Sequence, residues 1–412
     1  MGDSAIEKIR RTKSSIKQLI VPGMFFEDMG ITYLGPVPGH NLPLLCKAFQ
    51  EAGKIGGPVL LHVLTEKGKG YEPAEAFPEK FHGIGPFDIE TGEPVSKKEK
   101  DTYTDVFGKV LCDIALHDPD VAAITAAMAD GTGLDRFRRM FRKRFFDVGI
   151  AEAHGVTFAA GLAAGGVKPV FAVYSSFLQR AYDQIIHDVA LQNLPVVFAV
   201  DRAGLVGNDG ETHQGIFDLS YLSSIPNMVV MSPKHKWELA DMLRFAVAYN
   251  GPVAVRYPRG TAYDGYEAFR APVEYGRSEM IYEEEDIAIL SVGHMFEEAA
   301  GVWETLKEQG FSCTLVNARF VKPLDEEMVE ALGKKHRMIV TMEENVQSGG
   351  FGEHVLEFVS RKKLPVTVLT IALPDDYVEH GNIDVLRKET GIDRISVAER
   401  IMKAYTGVVE SI

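Results

Sequence analysis

The sequence predicts an α/β fold built on parallel sheets, and three features carry that prediction. Apolar, β-branched runs of strand length alternate with segments of helical periodicity, short Gly/Pro loops separate them, and the runs are apolar at consecutive positions. Continuous apolar runs suit strands covered by helices on both faces, which is what βαβ units produce.

Taken in order, a helix is expected over about 106–117, then strands "VAAITAAM" and "RFFDVGI", and a helix following Glu152. Strand "KPVFAVY", one helix over "FLQRAYDQIIHDVALQ", and strands "LPVVFAVDRAG", "NMVVMSP" and "GPVAVRYPRG" complete the middle region. The last region repeats the rhythm with "DIAILSVG", "CTLVNARFV", "RMIVTMEEN" and "PVTVLTIALPD". The first hundred residues offer a basic helix and only two strands, "ITYLGPV" and "PVLLHVLT", too few to close a sheet. That segment is expected to complete a sheet supplied by other residues. Polar breaks at Glu90–Asp105 and Gly260–Glu279 divide the chain into 1–100, 101–270 and 271–412.

With 412 residues and 46% hydrophobic content, the chain can bury a large core and form two or three domains. No run approaches the ~18 apolar residues of a membrane span, and the N-terminus shows no apolar signal core. No membrane role and a cytoplasmic location are the expectation. A net charge of −14 argues against nonspecific nucleic-acid binding while leaving room for a local basic pocket. Cys46, Cys112 and Cys313 form no CxxC pair and read as buried, reduced thiols.

In open parallel sheets ligands sit beyond the carboxyl ends of strands, so residues just after each strand are the candidates. Glu152 follows "FFDVGI" at a helix start, where the helix dipole favours its charged form and the apolar neighbours favour its neutral one. A helix-terminal carboxylate without a chemical role explains it equally well. The stretch "DRAGLVGNDGETHQG" brings Arg202, Asp209, His213 and four glycines together, although a merely solvated loop is the plain alternative. Arg259 in "RYPRG" could fork a phosphate, but read alone it is better explained by a surface ion pair; Arg256 reads as structural. "EKGKGYEPAE" lacks Walker spacing and no helix is expected after it, and "SGGFGEH" reads as a turn for close helix packing.

Together, "FFDVGIAEAHGVTFAAGLA", "YSSFLQRAYDQIIHDVALQNLPVVFAVDRAGLVGNDGETHQG", "RYPRG", "EKGKGYEPAE", "FHGIGPFD", "VNARFVKPLD" and "MEENVQSGGFG" resemble the 1-deoxy-D-xylulose 5-phosphate synthases of the transketolase-like group. The resemblance runs from about Phe25 to the C-terminus. It implies the tail of a first α/β domain, a parallel-sheet pyrimidine-binding domain and an α/β C-terminal domain. It also implies condensation of pyruvate with glyceraldehyde 3-phosphate, feeding isoprenoid, thiamine and pyridoxal synthesis, with thiamine diphosphate and Mg2+ as cofactors.

By matching motif, Glu152 would hydrogen-bond N1′ of the aminopyrimidine and promote the tautomer that removes the thiazolium C2 proton. Phe177 would stack on that ring and Tyr71 would touch the cofactor. His82 would face the pyruvate, with His213 also catalytic. Tyr174, Arg180, Arg202, Asp209, His213 and Arg259 would line the acceptor pocket, the phosphate going to Arg202 and Arg259. Ala153, Gly155, Pro38 and Asn208 depart from the family pattern.

The family's GDG motif with its later Asn, which supplies the metal ligands, has no counterpart here, Gly2, Asp3 and Ser4 coming closest. A homodimer, a separate polypeptide carrying the N-terminal half, or both are expected partners, and a split gene, a truncated reading frame and a fragment stay open. A split transketolase, a 2-oxo acid dehydrogenase β-subunit and a noncatalytic remnant that only binds a partner are the alternatives.

Overall fold

The computed structural model describes residues 24–78, 80–95 and 100–410. The chain divides into two compact units, 1–97 and 98–412. The basic helix expected near the N-terminus, and Gly2, Asp3 and Ser4, lie outside the described residues.

In the first unit, helix α1 (Met24–Asp28) leads into β1 (Thr32–Pro38), α2 (Leu42–Ala52), β2 (Val59–Leu64) and the short α3 (Glu72–Ala76). Both expected strands form, and they pair in parallel with Thr32 opposite Val59. Asn41 starts α2 by accepting the Leu44 N–H at 3.1 Å, with a proline in the first turn. No residue of α2 is buried, and Phe25, Leu42, Phe49 and Leu64 are exposed. The short α3 starts inside "EKGKGYEPAE" and ends at Ala76, with Pro73 in its first turn. One expectation is corrected here. Cys46, on α2, is exposed, whereas Cys112 and Cys313 are buried thiols as read.

The second unit contains two sheets. The larger runs in the order β12-β7-β8-β6-β5-β3-β4, and the smaller in the order β14-β13-β10-β11-β9. In the larger sheet, β3 (Val121–Thr125), β4 (Phe145–Asp147), β5 (Lys168–Tyr174), β6 (Val197–Asp201), β7 (Val229–Met231) and β8 (Val253–Arg256) are mutually parallel. β3, β6, β7 and β8 are buried along their whole lengths, as their unbroken apolar runs require. In the smaller sheet, β9 (Glu279–Tyr282) is an antiparallel edge beside the parallel β10 (Ile287–Ser291), β11 (Cys313–Asn317), β13 (Met338–Val346) and β14 (Thr367–Leu373).

Helices cover both sheets, and three start or break in ways that matter. α4 (Tyr103–His117) begins earlier than expected because Thr102 and Asp105 form a reciprocal capping box. After α5 (Asp135–Met140), α6 (Glu152–Ala164) packs its small residues on β5; a side chain at Gly155 would meet the Phe171 ring at 2.9 Å, so the glycine there is a packing requirement. The single helix expected over 177–192 is instead α7 (Ser175–Leu178), a 3₁₀ turn, one α turn and a π-helical stretch Ile185–Ala190, broken where Ala181 leaves helical geometry (φ −112°, ψ 15°).

The strand expected from "CTLVNARFV" is two strands in different sheets. Arg319 adopts φ 58°, and its buried guanidinium is fixed by Glu238 and by the carbonyls of Ala271 and Pro272. The chain therefore turns there, and β12 (Phe320–Lys322) pairs antiparallel with β7. Among the described residues no helix is long and apolar enough to cross a membrane.

Candidate active site

The parallel register of β5, β6 and β8 places Tyr174 opposite Asp201 and Val200 opposite Arg256, so three strands end along one edge. The candidate residues leave from these ends. Strand β5 runs into α7 with Phe177 and then Arg180, β6 into the loop carrying Arg202, Asp209 and His213, and β8 into Tyr257, Pro258 and Arg259.

Phe177, Tyr174, His213, Arg202, Asp209 and Arg259 are linked by contacts, whereas the contact of Arg180 is with Glu152. The Phe177 ring stacks on Tyr174 at 5.5 Å and meets His213 edge-on at 5.3 Å. The Arg202 guanidinium lies 3.9 Å over the Tyr174 ring, a cation–π contact. Nη1 of Arg202 (3.1 Å) and Nη1 of Arg259 (2.6 Å) both donate to Oδ2 of Asp209, so one carboxylate oxygen bridges two cations. Nδ1 of His213 is 2.8 Å from the Thr212 hydroxyl. Burial pushes the Tyr174 phenol up to about 12, which keeps it a neutral hydroxyl.

Glu152 is the first residue of α6 and only 4% exposed. Among the described residues its ion-pair partner is Nη1 of Arg180 at 3.6 Å, and Arg180 itself is exposed. A buried acid at a helix start can hydrogen-bond a group that reaches it.

Tyr71 and His82 belong to the first unit. The Tyr71 hydroxyl donates to the Ile89 carbonyl at 2.8 Å, and its ring packs edge-on against Phe81. His82 is exposed.

Several groups that shape the site are not apparent from the sequence. Asp201, fully buried at the end of β6, accepts the Arg202 N–H (2.7 Å) and the Thr104 hydroxyl (2.8 Å). Glu344 of β13 accepts the Leu205 N–H at 2.9 Å and is paired with His294 (2.6 Å) and Arg387 (2.9 Å). Gln214 accepts the Val206 N–H and donates to the carbonyl of Glu379. The smaller sheet thus anchors the loop of the larger one. Gly204 lies flush on Glu344, with no room for a side chain, and the loop's glycines at 204, 207 and 210 all have positive φ. Only the acid at a strand end and the glycine density were visible signals; the partners lie up to 165 residues away.

The start of α12 (Phe351–Lys362), following α8 (Asp218–Ser223), α9 (Lys236–Ala248), α10 (Met295–Glu308) and α11 (Glu326–Lys335), holds a carboxyl group from the chain itself. Glu343 accepts the N–H groups of Phe351 and Gly352 at 2.8 Å each. Gly352 also packs against Thr341 and Thr370, as the close-packing expectation had it. Arg256 is structural, bound bidentately to Asp218 with both side chains fully buried.

Comparison with known proteins gives a consistent picture. A family model described as the transketolase pyrimidine-binding domain matches residues 99–263, one described as the transketolase C-terminal domain matches 276–397, and one described as 1-deoxy-D-xylulose-5-phosphate synthase matches 1–65. The chain is 53% identical over 404 residues to 1-deoxy-D-xylulose-5-phosphate synthase of Lachnoclostridium phytofermentans, covering 98% of this chain and 65% of that protein. It is 52% identical over 406 residues to the synthase of Caldanaerobacter subterraneus, again covering 98% of this chain and 65% of that protein. The chain therefore spans about 65% of the length of the curated relatives it matches. Among solved structures, a split-gene transketolase described as an inactive beta4 tetramer superposes with a TM-score of 0.67 at 27% identity, over 74% of this chain and 99% of that one. Campylobacter jejuni transketolase shares the fold, with a TM-score of 0.62 at 17% identity, over 92% of this chain and 68% of that one.

Proposed function

We propose, from the premise that this chain belongs to the 1-deoxy-D-xylulose-5-phosphate synthase family of transketolase-like proteins, that it carries the proton-transfer and acceptor-binding part of a synthase joining pyruvate to glyceraldehyde 3-phosphate with loss of carbon dioxide. The observation that supports this reading most is Glu152, a carboxylate 4% exposed at the first position of a helix, with only a long contact to Arg180.

Thiamine diphosphate, when bound, supplies the electron sink for decarboxylation. This chain's own residues fit its pyrimidine end. Glu152 would hold a proton at the ring nitrogen, in a buried place where water does not compete for it. Phe177, stacked on Tyr174, would offer that ring a flat face. Arg202 and Arg259, which share one oxygen of Asp209, would transfer those bonds to the acceptor phosphate, while Tyr174 and His213 wall the pocket and Arg180 sits at its rim. Tyr71 and His82 are assigned to cofactor and pyruvate by motif alone.

The diphosphate end is different. The Asp of a GDG motif and the later Asn that supply the metal ligands in the family have no counterpart in this sequence. We assign the Mg2+ and diphosphate grip to residues outside this sequence, in the same polypeptide or in another. A two-polypeptide enzyme is a specific form of this reading, supported by the likeness to a split-gene transketolase over 99% of that chain. The reading also includes a division at about 100 and 270, a homodimer and a cytoplasmic location.

The test is reconstitution. The chain is combined with the N-terminal third of a full-length relative, thiamine diphosphate, Mg2+, pyruvate and glyceraldehyde 3-phosphate, and carbon dioxide and product are measured. We expect 1-deoxy-D-xylulose 5-phosphate, and a loss of about 10²- to 10⁴-fold in Glu152→Ala. No turnover, or turnover only with a ketose phosphate donor, overturns the reading.

A further inference from the structure

Resting on the reading of Arg202 and Arg259 as an anion pocket, we propose that Asp201 is the positioning residue of that pocket: its carboxylate fixes Arg202, and its charge sets how strongly the pair takes a dianion. Asp201 touches no reacting atom in this scheme. It acts through Arg202.

The geometry supplies the first half. Asp201 ends β6 with no exposure, and each oxygen has a partner: Oδ1 accepts the Arg202 N–H at 2.7 Å, and Oδ2 accepts the Thr104 hydroxyl at 2.8 Å. Arg202 has φ 58°, a conformation that a residue with a side chain adopts only where its surroundings enforce it. The Asp201 bond to its N–H is one such constraint, and the Ala203 N–H bond to the Tyr257 carbonyl (3.0 Å) is the next. From that turn the guanidinium lies across Tyr174 and reaches Asp209. Thr104 ties the arrangement to the first turn of α4, 97 residues away in sequence.

The charges supply the second half. Groups from every neighbouring element face Asp201: the Thr104 hydroxyl from α4, the phenols of Tyr174 and Tyr257 from β5 and the end of β8, and the cations Arg202 and Arg259, the last two also holding Asp209. Among the described residues neither arginine makes an ion pair with Asp201 itself. The Tyr257 hydroxyl is buried without a hydrogen-bond partner among the described residues. Burial therefore outweighs the hydrogen bonds and the arginines, and pushes the carboxyl up to about 7. Below that pH the acid is neutral, and an incoming dianion meets two guanidiniums opposed only by Asp209. Above it a second carboxylate lies beneath them, and the pull on a dianion weakens.

The experiment uses sulfate, a dianion across the whole range, so that only the protein titrates. Its affinity for the full chain is measured by calorimetry from about pH 6 to about pH 8.5. Wild type is expected to weaken roughly three- to tenfold through the transition. Asp201→Asn keeps an acceptor for the Arg202 N–H and should bind at every pH as wild type does at low pH. Thr104→Val, which removes a bond favouring the charged form, should move the midpoint upward. Arg202→Ala should abolish binding and so locate the probe. Equal pH slopes in wild type and Asp201→Asn overturn the inference while leaving the pocket intact. If Asp201→Asn does not fold, as judged by circular dichroism, an unmoved midpoint in Thr104→Val overturns it instead. No saturable binding by wild type overturns both the pocket and this inference.

Discussion

The carboxyl ends of the two sheets put buried acids to opposite uses. At the larger sheet's edge, Asp201 is buried but the cations above it, Arg202 and Arg259, are only partly covered, and their shared counter-ion Asp209 sits in a loop. At the smaller sheet's edge, Glu343 and Glu344 are each about 1% exposed, and the chain itself saturates them with helix N–H groups, a histidine and an arginine. Both edges have the topology that creates ligand sites in open α/β sheets. Only one keeps cations that a ligand can claim, so topology nominates a site and local charge saturation decides it.

The largest expected effect lies at the saturated edge. Burial raises the Glu344 carboxyl, but Arg387, His294 and the Leu205 N–H outweigh it and hold the group well below the ordinary carboxylate range. The sign follows: a depressed folded value gives stability that is complete above the ordinary carboxylate pKa and is lost as pH falls through the lowered one. Glu344→Ala leaves buried His294 without its acid and Arg387 with Glu298 alone, and should cost about 3–5 kcal/mol in urea unfolding at neutral pH. It should also loosen the loop that begins at Leu205, seen as faster amide exchange there. A loss under about 1 kcal/mol would show that this edge is not sealed in the way described.

The open edge should behave in reverse. Arg259 is half-exposed and, among the described residues, paired only with Asp209 and the Val206 carbonyl. Arg259→Ala should change stability by no more than about 0.5–1 kcal/mol, as exposed pairs do. Sulfate affinity should nevertheless fall by roughly tenfold or more, the worth of a charge-assisted hydrogen bond. Stability loss without affinity loss would turn Arg259 into the structural ion pair that its isolated reading allows.

The sequence makes one of these edges far more legible than the other. Strand composition and loop spacing place β3, β5, β6, β8, β10 and β13 correctly, because buried parallel strands leave unbroken apolar runs, and β14 is legible too although only partly buried. Arg202, Asp209, His213 and Arg259 stand out since glycine-rich loops after strands are unusual places for so much charge. The turn at Arg319 is invisible, because a non-glycine residue at positive φ is enforced by tertiary partners rather than by its own propensity. Helix irregularity over 179–190 is hidden for a related reason: hydrophobic periodicity reports which face is buried and not the hydrogen-bond ladder. Thr104 with Asp201, and Glu344 with Leu205, are long-range pairs that no local pattern encodes.

The smallest expected effect sharpens the contrast within the smaller sheet itself. Glu343 and Glu344 are neighbours, yet burial pushes Glu343 up to about 7 against the pull of the Gly352 and Phe351 N–H groups and of Arg256, and among the described residues no cation forms an ion pair with it. Here the sign is opposite to that of Glu344. From the ordinary value of 4.5 up to about 7 the folded state keeps a proton that the unfolded chain has released, so this contribution is complete below 4.5 and gone once pH passes about 7. Glu343→Gln has no such proton to lose. Between about pH 5.5 and pH 8, wild type should lose about 1–2 kcal/mol more than the variant in urea unfolding, with Asp201 contributing equally to both and cancelling. Parallel curves would mean that the two helix N–H groups hold Glu343 ionised throughout, and that the edge is saturated by backbone dipoles as fully as by Arg387.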